Sequence, residues 1–247
     1  MKKYYFLILY IFVSGCSVNP VTGKQDFVMI SENQEIAMGK RYHAQILQQI
    51  PPYPDEELQA YVQEIGDSLS AKSHRPNLFY RFTVLDSPDI NAFALPGGYI
   101  YINRGLMAYL SSEEELAAVL GHEIGHVTAR HSVRQYSQSQ ILGILSTAIE
   151  MNQGRSAGNL ANLASGALLS GYGREMELEA DDLGAQYIYQ EGYSPQGMFN
   201  VLSVLKDQEI YSKALAKKRG QEPRSYHGVF ASHPSNDKRL QEILQEV

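Results

Sequence analysis

The sequence is poor in cysteine and in clustered positive charge. Cys16 is the single cysteine among 247 residues, so the chain can form neither an internal disulfide nor a cysteine-based zinc site. Any metal ion would therefore be held by histidine, aspartate or glutamate. The 21 basic and 27 acidic residues give a formal net charge of −6, and the longest basic run is residues 217–219. Because nucleic-acid binding usually needs a concentrated basic face, we expect no nucleic-acid partner.

Long apolar runs are also scarce, and the one that opens the chain is short. Residues 4–13 are apolar and follow two lysines, but they are too few for a permanent membrane helix. Small residues and Cys16 come next, so residues 1–15 resemble a bacterial lipoprotein signal peptide. This resemblance implies cleavage before Cys16 and acylation of its thiol, which would anchor the protein in a membrane. Ser17 then resembles the sorting signal for the periplasmic face of the outer membrane. A plain secretory signal with an incidental cysteine is the alternative.

The rest of the sequence predicts a mainly helical protein with a small β-sheet, an α+β fold. Hydrophobic residues make up 44% and charged residues 19%, which is typical of folded globular proteins. Residues 16–30 contain proline, glycine and mixed polarity, and we interpret them as a tether to a domain at 31–247. Periodicity and capping patterns predict helices at about 31–49, 55–71, 112–130, 133–150, 158–171, 174–191 and 195–218, with a last one from Pro234. Strand patterns predict a strand at 80–85 and a hairpin formed by 91–95 and 99–103.

The strongest chemical motif is the HExxH pattern that begins at His122. Positions i and i+4 lie one turn apart on the same helix face, so His122 and His126 can bind one metal ion. Glu123 projects to the same side, where it can act as a base on water whose pKa a zinc ion lowers to about 7. The alternative is a surface helix with two solvated histidines. An apolar stripe beside the histidines disfavours it: Leu116, Leu120, Ile124 and Val127.

A zinc site of this kind needs a third protein ligand. The metzincin solution is excluded because Ala129 and Ser132 stand where its glycine and histidine would be. His131 lies five residues beyond His126, and we interpret it as a structural residue or as one that supports a ligand. The remaining solution is a carboxylate from a later helix.

The acidic helix predicted at 174–191 offers such carboxylates. Glu177 falls on the inward face of this helix, and Asp181 lies one turn further on. An inward carboxylate is costly unless it is paired or metal-bound, so we expect Glu177 to be the third ligand. Asp181 can accept a hydrogen bond from a ligating histidine and fix its tautomer. A solvated acidic helix with a few salt bridges is the alternative. The inward face is marked by Ala180, Gly184, Tyr187 and Ile188.

Together these segments resemble a known family. The HExxH motif followed by the E-x-x-A-D pattern at 177–181 is similar to the gluzincin metallopeptidases of family forty-eight. Segment 91–98 and the Ser-His-Pro motif at 232–234 resemble it too, and the resemblance covers nearly all of residues 19–247. It implies a zincin-like domain with one zinc ion that hydrolyses misfolded or unassembled envelope proteins. With no further long apolar run, the chain resembles the family's soluble, periplasmic lipoprotein branch.

The resemblance also implies roles for residues outside the two ligand segments. His233 precedes a helix, whose dipole favours a neutral imidazole that could stabilise an oxyanion or gate the metal, although a plain helix-start residue is the alternative. Arg239 is expected to contact the metal ligands and support them without binding the metal itself. An extended polypeptide substrate could pair with the predicted strand that begins at residue 91, by β-augmentation. Alternatively, this strand is an ordinary arm of the hairpin. Its residues are Asn91, Ala92, Phe93 and Ala94. The outer-membrane assembly machinery is a further candidate partner, and a chaperone with a structural metal is the competing function.

Overall fold

The computed structural model describes residues 16–152 and 172–220. This part of the chain is mainly helical with two small sheets, as predicted. Its helices are α1 (Glu32–Gln49), α2 (Glu56–Ala71), α3 (Arg104–Met107), α4 (Glu113–Thr128), α5 (His131–Asn152), α6 (Arg174–Glu191) and α7 (Gln196–Lys218). Its strands are β1 (Cys16–Val18), β2 (Gln25–Phe27), β3 (Arg81–Leu85), β4 (Ala92–Leu95) and β5 (Tyr99–Asn103). The predicted signal peptide at 1–15 and the predicted helices at 158–171 and from Pro234 lie outside the described residues.

Capping residues that the sequence displays account for the starts of α1 and α4. Ser31 accepts the N–H of Gln34, and the Gln34 side chain accepts the N–H of Ser31, which confirms the predicted capping box at the start of α1. At the start of α4, the second hydrogen bond of the capping box has a different partner. Ser112 accepts the N–H of Glu115, but the Glu115 carboxylate accepts the N–H of Ser111. Both arrangements satisfy backbone donors that a helix start leaves unpaired.

Residues 16–30, which the sequence predicts to be a tether, contain a short hairpin. Strands β1 and β2 pair antiparallel around a turn that Asn19 organises, because its side-chain oxygen accepts the N–H groups of Val21 and Thr22. The hairpin is fastened to the domain, since Nη1 of Arg130 donates to Oγ of Ser17 at 2.8 Å. Strands of three residues bury too little apolar surface to leave an alternating pattern in the sequence, so they escaped prediction.

The three-stranded sheet confirms the predicted hairpin. Strands β4 and β5 pair antiparallel around Gly97 and Gly98, whose φ angles of 76° and 92° suit glycine. Strand β3 pairs parallel with β5, so the strand order is β3-β5-β4. Strand β4 is therefore one edge of the sheet and β3 is the other.

The edge at β3 is closed by two glutamines of α2. The Gln59 side chain donates to the carbonyl of Val84 and accepts the N–H of the same residue, at 2.8 and 2.9 Å. One turn further on, Gln63 accepts the N–H of Phe82 and donates to the carbonyl of Tyr80. These amides occupy the backbone groups that an added strand would need, so a chain cannot pair with the sheet here.

Helix α4, which carries the HExxH motif, lies at the centre of the domain. It packs against α2, β4, α6 and α7, and every residue from Glu115 to Thr128 is buried. The histidines thus lie inside the protein, where a bound ion would be shielded from bulk water. Among the residues that the structure describes, no helix combines the length and apolarity needed to cross a bilayer. Prominent members of the surrounding core are Val62, Phe82, Ile100, Leu120, Ile124, Tyr187 and Leu202.

Candidate metal centre

His122, His126 and Glu177 meet in the interior of the domain. The Nε2 atoms of the two histidines lie 3.0 Å apart. The Glu177 oxygens lie 3.7 Å from Nε2 of His122 and 3.6 Å from Nε2 of His126. In a tetrahedral zinc site with bonds of about 2.0 Å, neighbouring ligand atoms are about 3.3 Å apart. The three side chains therefore match three corners of such a site, and in catalytic zinc sites the fourth corner belongs to water or substrate.

Small residues allow helices α4 and α6 to approach closely enough for this meeting. A Cβ atom added to Gly125 would lie 2.8 Å from the carbonyl oxygen of Ala180. One added to Gly184 would lie 2.8 Å from the backbone nitrogen of His122. Since both obstacles are backbone atoms in a close-packed interior, neither position accepts a larger residue without moving a helix. The close approach brings the Glu177 carboxylate to the two imidazoles.

Asp181 determines which nitrogen of His122 carries the proton. Its Oδ1 atom lies 2.8 Å from Nδ1 of His122, and both side chains are buried. An ionised carboxylate can only accept a hydrogen bond, so Nδ1 of His122 is assigned as the donor. The other ring nitrogen, Nε2, is the atom that faces Glu177.

His126 is supported by a third histidine. Its Nδ1 atom lies 2.8 Å from Nδ1 of His131, and Nε2 of His131 lies 3.0 Å from Oε2 of Glu179. Because the carboxylate only accepts, His131 is assigned its proton on Nε2 and a lone pair on Nδ1. His126 must then donate from Nδ1, which leaves its lone pair on Nε2. Burial lowers the pKa of His131, which favours the neutral form that this arrangement needs.

The residues fit a divalent metal ion. The Nε2 atoms of the two imidazoles lie 3.0 Å apart beside a buried carboxylate, so one nitrogen from each ring and one carboxylate oxygen are gathered around a common point. These three side chains form a group that could hold a metal ion. Two imidazoles and one carboxylate are also a donor set typical of zinc enzymes.

Sequence periodicity could not place His131 beside His126. On a continuous helix, residues five apart point about 140° away from each other. Helix α4 ends at Thr128, however, and Arg130 adopts a left-handed conformation with φ of 56° before α5 begins. This break turns His131 back toward His126. A left-handed position is usually signalled by glycine or asparagine, and Arg130 gives no such signal.

A buried ion cluster holds the end of α4 and the break after it. Glu35, which is 1% exposed, accepts from Arg75 at 2.7 Å and from Arg130 at 2.8 Å. Arg75 also donates to the carbonyl of Val127 in the last turn of α4, at 3.1 Å. Positive charge is favourable beside the carboxyl end of a helix. This cluster could not be predicted from the sequence because its members lie far apart along the chain.

Glu123 lies beside His122 at the wall of a small apolar cavity. The cavity has a volume of about 30 Å³, and His122 and Glu123 line it together with Ala92 of β4. A larger cavity of about 760 Å³ lies between α2 and β3, but none of the predicted site residues lines it. We therefore regard the smaller cavity as part of the site. Its apolar lining is completed by Leu106, Ala118, Val119, Met198, Val201, Leu202 and Leu205.

The predicted substrate strand lies at the sheet edge that packs against α4. Asn103 donates its N–H to the carbonyl of Asn91 at 2.9 Å, and hydrogen-bonded pairs alternate along an antiparallel ladder. The backbone N–H and C=O groups of Ala92 and Ala94 therefore point away from β5, while those of Phe93 point toward it. Within the described ranges, no other strand pairs with this side of β4. His233, Arg239 and the thiol of Cys16 lie outside what the structure describes.

A metal-compatible pair of histidines on a buried helix, completed by a glutamate from a second helix, is the arrangement of a zincin-like metalloprotease domain. Comparison with known families agrees with this class. The chain belongs to peptidase family M48, whose model matches residues 56–247. The family resemblance predicted from the sequence is thus confirmed.

Named relatives are proteases from bacteria and from a eukaryotic organelle. A beta-barrel assembly-enhancing protease of Yersinia pestis is 32% identical over 233 residues, which cover 90% of this chain and 45% of the relative. Metalloprotease YcaL of Escherichia coli K12 is 30% identical over 170 residues, 67% of this chain and 61% of the relative. Mitochondrial metalloendopeptidase OMA1 of Schizosaccharomyces pombe is 28% identical over 236 residues, 91% of this chain and 64% of the relative. The chain spans about half the length of the beta-barrel assembly-enhancing proteases that it matches.

Proposed function

We propose that this protein is a zinc-dependent endopeptidase of the bacterial cell envelope. One observation carries the proposal: two histidine ring nitrogens and a buried carboxylate converge beside Glu123. His122, His126 and Glu177 would hold one zinc ion. Relatives named as proteases and metalloendopeptidases favour peptide-bond hydrolysis over the alternative of a chaperone with a structural metal.

Each remaining group has a proposed task in hydrolysis. When bound, zinc would polarise the scissile carbonyl and lower the pKa of water to about 7. Glu123 takes a proton from the attacking water and later delivers it to the leaving amine, as a general base and then a general acid. Asp181 holds the His122 ring through its Nδ1 proton. His233 is proposed to stabilise the oxyanion or gate the site, and Arg239 to support the ligands, both on the family resemblance.

The proposed substrate is an extended polypeptide that adds a strand to β4. The outward backbone groups of Ala92 and Ala94 would pair with it, in the mode of β-augmentation. The opposite edge of the sheet is closed by Gln59 and Gln63, which leaves β4 as the edge that can accept a strand. Because β4 packs against α4, a chain bound there would run past the HExxH helix.

The apolar cavity suggests which side chain lies next to the scissile bond. Its volume of about 30 Å³ and its lining favour one small aliphatic group and disfavour a charged one. We therefore propose cleavage beside small aliphatic residues. Such residues are buried in folded proteins and exposed in misfolded ones, which agrees with misfolded or unassembled envelope proteins as substrates.

The cellular location is proposed from the start of the chain. Acylation of Cys16 would anchor the protein at the periplasmic face of the outer membrane. The hairpin that begins at Cys16 is held to the domain by the contact of Arg130 with Ser17, so the anchor would join the domain through folded structure. The name of the beta-barrel assembly-enhancing relatives favours the outer-membrane assembly machinery as a partner.

Metal analysis with a protease assay tests the function. Purified mature protein is expected to contain one zinc ion per chain and to cleave unfolded casein. A chelator should abolish cleavage, and added zinc should restore it. Cleavage that persists in metal-free protein, or failure to cleave casein with one zinc bound, would contradict the proposal.

A further inference from the structure

We propose that His131, backed by Glu179 and Arg134, positions the ligand His126 and thereby sets the zinc affinity of the site. The inference rests on the proposed metal site and goes beyond it, because His131 neither binds the metal nor touches substrate. It is a positioning residue that acts through another side chain.

The hydrogen-bond geometry fixes the orientation of the His126 ring. His131 is fully buried and accepts the Nδ1 proton of His126 at 2.8 Å. Glu179 accepts the Nε2 proton of His131 at 3.0 Å and is itself bound by Nη1 of Arg134 at 3.0 Å. Each member fixes the proton position of the next, so the lone pair of His126 is directed at the metal position. Without this acceptor, the ring could rotate or take the other tautomer.

Charge explains why the support of His126 is indirect. Three carboxylates already lie at or beside the ligand histidines: Glu123, Glu177 and Asp181. A fourth carboxylate in direct contact would add repulsion in a buried site, where Coulomb interactions are strong. His131 supplies an acceptor without charge, and the charge of Glu179 stays at a partly exposed position where Arg134 neutralises it.

Stacking restrains the same ring from its face. The ring of Tyr172 lies parallel to that of His126, with centroids 4.1 Å apart and an angle of 19° between the planes. The Tyr172 hydroxyl is 2.6 Å from Oγ of Ser132, the residue after His131. Residues at the start of α5 therefore restrain the His126 ring in two ways. His131 bonds the edge of the ring, and Ser132 contacts the hydroxyl of the tyrosine that stacks on its face. The orientation of the ring thus depends on this segment.

Zinc affinity of the full mature protein tests the proposal. The dissociation constant is measured by competition with a chromophoric chelator, and cobalt substitution reports ligand geometry through visible absorption. His131→Phe keeps the ring shape without the acceptor, and we expect zinc affinity to fall about 10- to 100-fold with an altered cobalt spectrum. His131→Asn restores an acceptor near the Nδ1 position and should recover most of the affinity.

A matched control separates positioning from general stability. Thr128→Val, two residues from His126, removes a buried hydroxyl that lies 3.0 Å from the Tyr187 hydroxyl and donates to the carbonyl of Gly125. It should lower the melting temperature of metal-free protein and leave zinc affinity unchanged. Should His131→Phe fail to fold, Glu179→Gln, at a partly exposed position, should still weaken zinc binding several-fold.

The outcomes distinguish this inference from the proposed function. If the wild-type protein binds zinc and cleaves casein while His131→Phe or Glu179→Gln binds zinc equally well, only the positioning role is overturned. It is also overturned if His131→Asn fails to recover affinity and the metal-free melting temperature falls in proportion. A wild-type protein that binds no zinc overturns both.

Discussion

Gly125 of α4 faces the backbone of Ala180 of α6 at the helix crossing beside the candidate metal centre. A Cβ atom on Gly125 would stand 3.0 Å from Cα and 2.8 Å from the carbonyl oxygen of Ala180. Gly125 comes one residue before His126, and Ala180 comes three residues after Glu177, so the crossing joins the two segments that carry the candidate ligands. The separation of the helices therefore sets the distance between the imidazoles and the carboxylate.

Gly125→Ala is expected to push the two helices apart. The added methyl group meets backbone that cannot give way, so we expect a loss of about 1–3 kcal/mol in the free energy of unfolding. Zinc affinity should fall as well, because Glu177 moves away from the histidines. Chelator competition and urea unfolding measure the two effects. Gly173→Ala is the control, since a Cβ there meets nothing within 4 Å and its φ is −69°. Wild-type zinc affinity in Gly125→Ala would show that the crossing distance does not matter.

Removing the charge of Glu35 should destabilise the whole domain. Glu35→Gln leaves Arg75 and Arg130 buried without their shared carboxylate, and loss of one partner of a buried ion pair costs about 3–5 kcal/mol. Glu32→Gln is the control, because Glu32 is 63% exposed and also contacts Arg75; it should cost about 0–1 kcal/mol. Urea unfolding of metal-free protein compares them. Equal urea midpoints for Glu35→Gln and Glu32→Gln would mean that the buried ion cluster stabilises the domain no more than a surface ion pair does.

Enlarging the apolar cavity should change where substrates are cut. Val201→Ala removes two methyl groups from the cavity wall, and we expect cleavage to shift toward larger aliphatic residues. Mass spectrometry of casein fragments identifies the sites. Val62→Ala removes the same groups from a buried position away from the cavity and should cost a similar free energy of about 2 kcal/mol. Its cleavage sites should match those of wild-type protein. An unchanged set of cleavage sites in Val201→Ala would show that the cavity does not determine cleavage specificity.

Most of the helical part of the fold was predictable because the long helices display a buried face in the sequence, and α1, α2 and α4 also display a capping residue. The single-turn helix α3 was not predicted. Glu177 and Asp181 could be picked out from the other acidic residues of α6 because a straight helix fixes which positions share a face, and both are buried. His131 could be seen only as a residue of uncertain role. Its position depends on Arg130, whose left-handed backbone conformation separates α4 from α5 and sets the direction in which α5 begins.

Long-range polar contacts account for most of what could not be predicted. Glu35 meets Arg130 across 95 positions of sequence, and nothing local in either segment indicates the pairing. The hydrogen bonds of Gln59 and Gln63 to the β3 edge could not be predicted either. Glutamine on a helix is usually solvated, so nothing local indicates these contacts. The hairpin at Cys16–Phe27 lacks any hydrophobic alternation that would distinguish it from a loop.

The most direct test is casein cleavage and zinc content in Glu123→Gln. Glutamine keeps the shape of Glu123 but cannot take a proton, and positioned general acid–base groups contribute about 10²- to 10⁴-fold to rate. We expect one zinc ion per chain, an unchanged melting temperature and a loss of cleavage of that size. Glu175→Gln, at an exposed position of α6, should cleave as wild type does. Cleavage by Glu123→Gln at the wild-type rate, with zinc bound, would contradict the assignment of this site as a peptidase centre.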